Sequence, residues 1–283
     1  MMPILDYLDG ILYYPILVVV LTAAGLYFTC RTGLVQFRMF WESIRLVMEK
    51  PQNEGAVSPF HALMVSTASR VGTGNILGVS TAICLGGPGS VFWMWVIATL
   101  GAASGFIEST LAQIYKVKKP GGGFMGGPAY YIKNALGSPF WAGVFAVLIS
   151  VTYALIFNSV QANTISLSIE TTTGLKPAYT GLILAIVTGL VIFGGMTRIA
   201  KVASFMVPFM AGAYLLLAFV VTCMNITEVP RVLLMIVTKA FSFDSITGAA
   251  IGVALMTGIK RGLFSNEAGM GSTPHAHAVA NVK

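Results

Sequence analysis

The chain has 283 residues, 56% of them hydrophobic and 10% charged, and its mean hydropathy is +0.81. Soluble domains carry about 25% charged residues, so this chain cannot solvate its own surface and reads as an all-α integral membrane protein. The formal charge of +7 sits in loops between apolar runs, where membrane topology explains it better than nucleic-acid binding does.

The N-terminus, MMPILDYLDG, has two aspartates, no basic residue and no small-residue cleavage site, so no cleavable signal peptide is expected. The first candidate span is Ile11–Phe28, within a leading helix over 11–30. A loop with Arg31, Arg38, Arg45 and Lys50 follows it. The second span covers Pro59–Leu85, and after the turn GGPG (Gly86–Gly89) the third covers Ser90–Tyr115. Next comes the polar connection KVKKPGGGFMGGP, then a fourth run, Phe140–Ile169, interrupted by Asn158, Gln161 and Asn163. The fifth and sixth runs are Ala178–Phe193 and Ala203–Met224. Residues 225–245 read as an external loop with an interfacial helix. A seventh run starts near Ile246 and breaks up between Gly258 and Pro274. A span needs about 20 residues, so about seven helices fit. Cys30, Cys84 and Cys223 have neither disulfide nor metal spacing.

Loops after the odd-numbered spans hold ten basic residues, against three in the N-terminus and the loops after spans two, four and six. Positive charge stays in the cytoplasm, so the N-terminus is expected outside.

The stretch STASRVGTGNILGVSTAICLGGPG, Ser66–Gly89, carries Arg70, Asn75 and three glycines at 72, 74 and 78 inside a run of spanning length. A lipid-facing helix has no use for them. Irregular backbone at membrane depth survives only where protein or a water-filled cavity shelters it, so a broken helix is expected here. In the functional reading, N–H groups near Gly74 and Asn75 hold an anionic group, while carbonyls of Ala68 and Val71 face a cation. The bland reading is helix packing through Gly74 and Gly78, a small-xxx-small pair. A dinucleotide loop is rejected, because the spacing is G-x-G-x-x-x-G and no strand precedes it.

Span seven also opens apolar and then fills with Gly, Asn and Ser around a basic residue. It enters the membrane in the opposite sense to span two. Paired interrupted helices in inverted halves mark a secondary transporter's site. A first five-helix repeat over 58–224 and the first helix of an incomplete second repeat over 246–283 are therefore expected, in a C-terminally truncated chain.

Gln161 lies one turn after Phe157, so the two share a face. Either they bond and wall a substrate, or Asn158, Gln161 and Asn163 simply tie packed helices together. Ser265 and Asn266 offer oxygens or donors beside Phe264. Glu108 and Glu267 are intramembrane acids, read either as acceptors for freed N–H groups or as a proton relay. Arg70, Lys260 and Arg261 read as gating ion pairs or snorkelling groups. His275 and His277 are two apart, a poor spacing for a metal on a helix.

VGTGNILGVSTAICLGGPGSVFWMW, GGPAYYI, NSVQAN and RGLFSNEAGMGSTPHAHA, in this order, resemble the alanine or glycine:cation symporter family over essentially the whole chain. The resemblance implies a LeuT-like fold, one leading helix with five plus five inverted helices, of which about seven of eleven are present. It implies sodium-coupled uptake of alanine, glycine and other small neutral amino acids at the cell membrane, with no cofactor and no enzymatic step. The carboxylate is expected against Thr73, Gly74 and Asn75, with Phe157, Gln161, Phe264, Ser265 and Asn266 completing the pocket. Sodium is expected on the carbonyls of Ala68 and Val71. The four missing helices would complete the sodium site and one pocket wall. The alternative is a proton-coupled permease or channel-like protein using Glu108 and Glu267.

Overall fold

The computed structural model describes residues 7, 10–49, 57–120, 123–241 and 249–280. The N-terminal aspartates Asp6 and Asp9, Lys50, Asp244 and the expected seventh-span start at Ile246 lie outside the described residues.

Apolar runs offer their backbone groups no partner but one another, so helix dominates. A π-helical turn, Leu12–Leu17, leads into α1 (Val18–Arg31). Two short helices follow, α2 (Val35–Arg38) and α3 (Phe40–Val47). The second expected span is two helices, α4 (Pro59–Arg70) and α5 (Thr73–Gly86). Then come α6 (Gly89–Ile114), a hairpin of β1 (Val117–Lys118) and β2 (Phe124–Met125), and α7 (Pro128–Ala135). The strands pair antiparallel, Val117 opposite Met125. Next, α8 (Pro139–Val151) runs through a π-helical stretch, Thr152–Phe157, into α9 (Asn158–Thr173). Helices α10 (Pro177–Ile192), α11 (Gly195–Met224) and α12 (Val229–Ala240) follow. The last two are α13 (Ala249–Asn266) and α14 (Thr273–Ala278).

Three of the described helices are long and apolar enough to cross a membrane: Gly89–Ile114, the continuous Pro139–Thr173 and Gly195–Met224. Three shorter ones, Val18–Arg31, Thr73–Gly86 and Pro177–Ile192, are also apolar. Two expected boundaries move. The sixth run begins at Gly195 rather than Ala203, because Arg198 and Lys201 are helical too. The fourth is not broken at Asn158, whose side chain donates to the Ala154 carbonyl one turn back (3.2 Å) and so is satisfied by its own helix.

The chain forms two compact units. The first comprises residues 1–44, 74–107 and 211–270. Its core is Val18, Ile97, Ile259 and Leu263, with Leu21 and Leu100 packed on it. Close approach depends on glycine: a methyl group at Gly258 would lie 2.5 Å from the Ser90 carbonyl oxygen and 2.7 Å from Trp93 Cβ. Backbone cannot yield as a flexible side chain can. Gly258→Ala is therefore expected to cost about 1–3 kcal/mol, read as a lower melting temperature in detergent with no change per folded molecule in ligand affinity.

The second unit comprises residues 45–73, 108–210 and 271–283. Here α14 packs on α4, α7 on α8, and α9 on α10. A parallel bridge joins Val57, just before α4, to Ala280, just after α14, and ties one end of that pair. Its outward side is strongly apolar: Phe193, Phe205 and Phe209 are 93%, 76% and 74% exposed. Apolar surface on this scale needs lipid or protein to cover it.

Candidate substrate and ion site

Both expected breaks exist, and each lies where the chain passes from one unit to the other. In the second unit, α4 ends at Arg70 and Val71 turns extended (φ −87°, ψ 93°). A new helix starts at Thr73. The last carbonyls of one helix and the first N–H groups of the next lose their regular partners at such a junction. The Thr73 N–H donates to Gln161 Oε1 at 3.2 Å. Gly72 makes room for that contact, since a methyl group there would lie 2.6 Å from Gln161 Nε2. Gln161 is one turn past Phe157, whose ring stacks on Tyr153 (centroids 4.7 Å apart, 12° between planes). Residues 153, 157 and 161 thus form one ladder along one helix face. Ala68 is exposed and Val71 half-buried at the end of α4. Their carbonyls belong to the turn where helical bonding stops, the kind of hard oxygen a sodium ion takes.

In the first unit, Gly74 lies against Phe264: a methyl group at Gly74 would be 2.8 Å from the ring's Cε1. Asn75 is half-buried on the first turn of α5. Phe264, Ser265 and Asn266 are the last three residues of α13, not part of irregular backbone. The expected break from Gly258 onward is thus confined to the residues after Asn266. It opens at Glu267, a non-glycine residue at φ 51°. Asn266 closes the helix end, accepting the Ala268 N–H on Oδ1 (2.9 Å) and donating from Nδ2 to the Ile97 carbonyl (3.4 Å). Glu267 is buried, 3% exposed, and its N–H donates to the Leu263 carbonyl (3.0 Å). Lys260 stands over the Tyr13 ring, 4.8 Å from its centroid, and the Tyr13 hydroxyl donates to the Lys260 carbonyl.

The structure therefore brings Thr73 to Gln161 and Gly74 to Phe264. It also reveals partners that the sequence order concealed. In the second unit Arg70 Nε donates to Thr273 Oγ1 (2.9 Å), and a second guanidinium nitrogen reaches the same oxygen. Ser109 Oγ and His277 Nδ1 are 2.6 Å apart, Gln113 donates to the His277 carbonyl, and Lys116 Nζ donates to the Ala280 carbonyl at 2.9 Å. Burial lowers the Lys116 ammonium below its ordinary value. Burial, and then the nearby Glu108, push the Tyr131 hydroxyl above the ordinary tyrosine range. His275 stacks on Phe145, and its Nδ1 lies 2.9 Å from the Gly271 carbonyl. The ties from Arg70, Ser109, Gln113 and Lys116 span 164 to 203 positions, and no local pattern announces them. Among the described residues no group of three or more His, Cys, Asp or Glu could hold a metal ion.

Thr273 is 1% exposed and receives a charged donor. Hydrogen bonds to charged groups contribute about 1.5–3 kcal/mol. Thr273→Val is expected to loosen α14 from α4 by that amount, read as faster tryptic cleavage after Arg70.

Several apolar helices with a lipid-type surface define a multi-pass membrane protein. The chain belongs to the sodium:alanine symporter family, whose model matches residues 1–283. Members of this family are transporters, not enzymes. The chain is 50% identical over 286 residues to the probable sodium/glutamine symporter GlnT of Bacillus subtilis, an alignment covering 99% of this chain and 60% of that protein. It is 48% identical to the amino-acid carrier protein AlsT of the same organism, over 98% of this chain and 58% of that one. With the sodium/alanine symporter AgcS of Methanococcus maripaludis it shares 39% identity, over 96% and 62% respectively. The chain thus spans about three fifths of the length of the curated relatives it matches.

Proposed function

We propose that this chain carries the substrate- and ion-binding part of a sodium-coupled symporter for small neutral amino acids, alanine and glycine first among them. The observation that carries the reading is the break at Val71–Gly72, with the Thr73 N–H held by Gln161. The first turn of α5, with Thr73, Gly74 and Asn75, meets the substrate carboxylate at a helix N-terminus, where the dipole favours an anion. Gln161 bonds the substrate and Phe157 walls it; Phe264, Ser265 and Asn266 are the contributions from α13. Carbonyls of Ala68 and Val71 hold sodium. The symport activity of named relatives supports the coupling.

The polypeptide follows the inverted five-plus-five plan, with its N-terminus outside and residues 58–224 as the first repeat. It works by alternating access. Glu267, buried beside the second break, accepts freed donors rather than relaying protons. Proteoliposome uptake of alanine separates this reading from a proton-coupled permease. Uptake driven by an inward sodium gradient at equal pH supports it; uptake that follows the pH gradient and ignores sodium contradicts it. Competition by glutamine tests the preference for small side chains.

A further inference from the structure

The elbow after the first helix carries two arginines with no part in the substrate site. A six-residue π-helical turn runs into the fourteen residues of α1 without a gap, so the chain is helical from Leu12 to Arg31. About 20 helical residues cross a hydrocarbon core, which sets Arg31 at headgroup depth. Two successive left-handed residues, Gly33 (φ 61°) and Leu34 (φ 55°), then end α1 and redirect the backbone. Arg38 folds back over that turn: a methyl group at Gly33 would lie 3.5 Å from one of its guanidinium nitrogens. Arg31 and Arg38 are both exposed, and among the described residues neither forms an ion pair.

The backbone beyond the turn supplies an apolar complement. Helices α2 and α3 run almost as one, since the Met39 N–H donates to the Val35 carbonyl (2.9 Å) and the Ser43 N–H to the Met39 carbonyl (2.8 Å). Phe37, Trp41 and Ile44 recur at helical spacing and form one stripe. They are 64%, 78% and 46% exposed, and no residue of α3 is buried. Arg38 and Glu42 lie on the adjoining face. A helix apolar on one side and charged on another lies in the membrane interface, a depth that tryptophan favours. Guanidinium groups bind phosphate oxygens through paired hydrogen bonds. Two of them without a countercharge, beside an exposed apolar stripe, match a molecule with an anionic phosphate head and hydrocarbon tails. A zwitterionic headgroup would set its own cation against them. Free phosphate would leave the stripe in water.

We propose that the elbow between α1 and α3 binds one anionic phospholipid, its phosphate on Arg31 and Arg38 and its acyl chains against Phe37, Trp41 and Ile44. The test places the protein in phosphatidylcholine nanodiscs, with Trp93, Trp95 and Trp141 replaced by phenylalanine so that tryptophan emission reports Trp41. Phosphatidylglycerol with brominated chains, added as a minor fraction, is expected to quench Trp41 as a lipid enriched about tenfold over brominated phosphatidylcholine, because each arginine near the surface favours an anionic lipid. Arg31→Gln/Arg38→Gln is expected to reduce that preference to about twofold or less, and high salt to weaken it. Equal quenching by the two lipids overturns the proposal, and so does a preference that survives the double substitution. No quenching by either lipid also overturns it, since protein, a second copy included, would then cover the stripe. Should the tryptophan replacements unfold the chain, native mass spectrometry of the otherwise unsubstituted protein from mixed micelles of the two lipids gives the same reading. One phosphatidylglycerol retained per chain, and lost in Arg31→Gln/Arg38→Gln, is the expected result; equal retention with and without the arginines overturns the site.

Discussion

Gln161→Ala is expected to weaken alanine binding about 10- to 100-fold while leaving the protein folded. Gln161 Oε1 accepts the Thr73 N–H at 3.2 Å, at the first turn after the break. Removing the amide deletes the hydrogen bond that Gln161 gives the charged substrate, about 1.5–3 kcal/mol, and each 1.4 kcal/mol is a factor of about ten in affinity. Gln161→Asn is expected to behave alike, since its amide stops one methylene short. Gln161→Glu keeps an acceptor but sets a negative charge against the substrate carboxylate, so it is expected to lose at least as much. Calorimetric titration with alanine checks all three, and circular dichroism establishes that the helices persist.

Gly72→Ala attacks the same contact from the other side and is expected to lower affinity about tenfold. Its new methyl group would come within 2.6 Å of Gln161 Nε2 and push the amide away from Thr73. In the Gln161→Ala background that clash disappears, so Gly72→Ala is expected to add almost nothing. Residues in one contact show such non-additivity, whereas independent sites add. Additive losses across the double-mutant cycle would mean that Gly72 acts through backbone freedom alone.

The first break was legible because Arg70, Gly72 and Asn75 make no sense on a lipid-facing helix. The second was legible only in outline. Gly258 and Gly262 belong to the same glycine-rich run as Gly269 and Gly271, yet they are packing glycines. Methyl groups at Gly258 and Gly262 would meet the Ser90 carbonyl oxygen and Ile97 Cγ2 respectively. Gly269 and Gly271 instead take positive φ, 86° and 78°. Composition counts both kinds alike; only a neighbour or a dihedral angle separates them. The π-helical stretch Thr152–Phe157 was not legible at all, because TYALIF contains no glycine, proline or charge. Nor were the Arg70–Thr273 and Ser109–His277 ties, which depend on residues 203 and 168 positions apart. Polar residues in span four suggested an interruption. Asn158 shows why polarity alone misleads, since its amide is spent on its own preceding turn.

The central claim is that backbone released at the interrupted spans binds an amino acid and a sodium ion together. It is tested most directly by titrating the protein with alanine at rising sodium, with potassium keeping ionic strength constant. Alanine affinity that climbs with sodium by about tenfold or more, as mutual coupling of two ligands requires, is the predicted result. Affinity that is the same in sodium and potassium would contradict it.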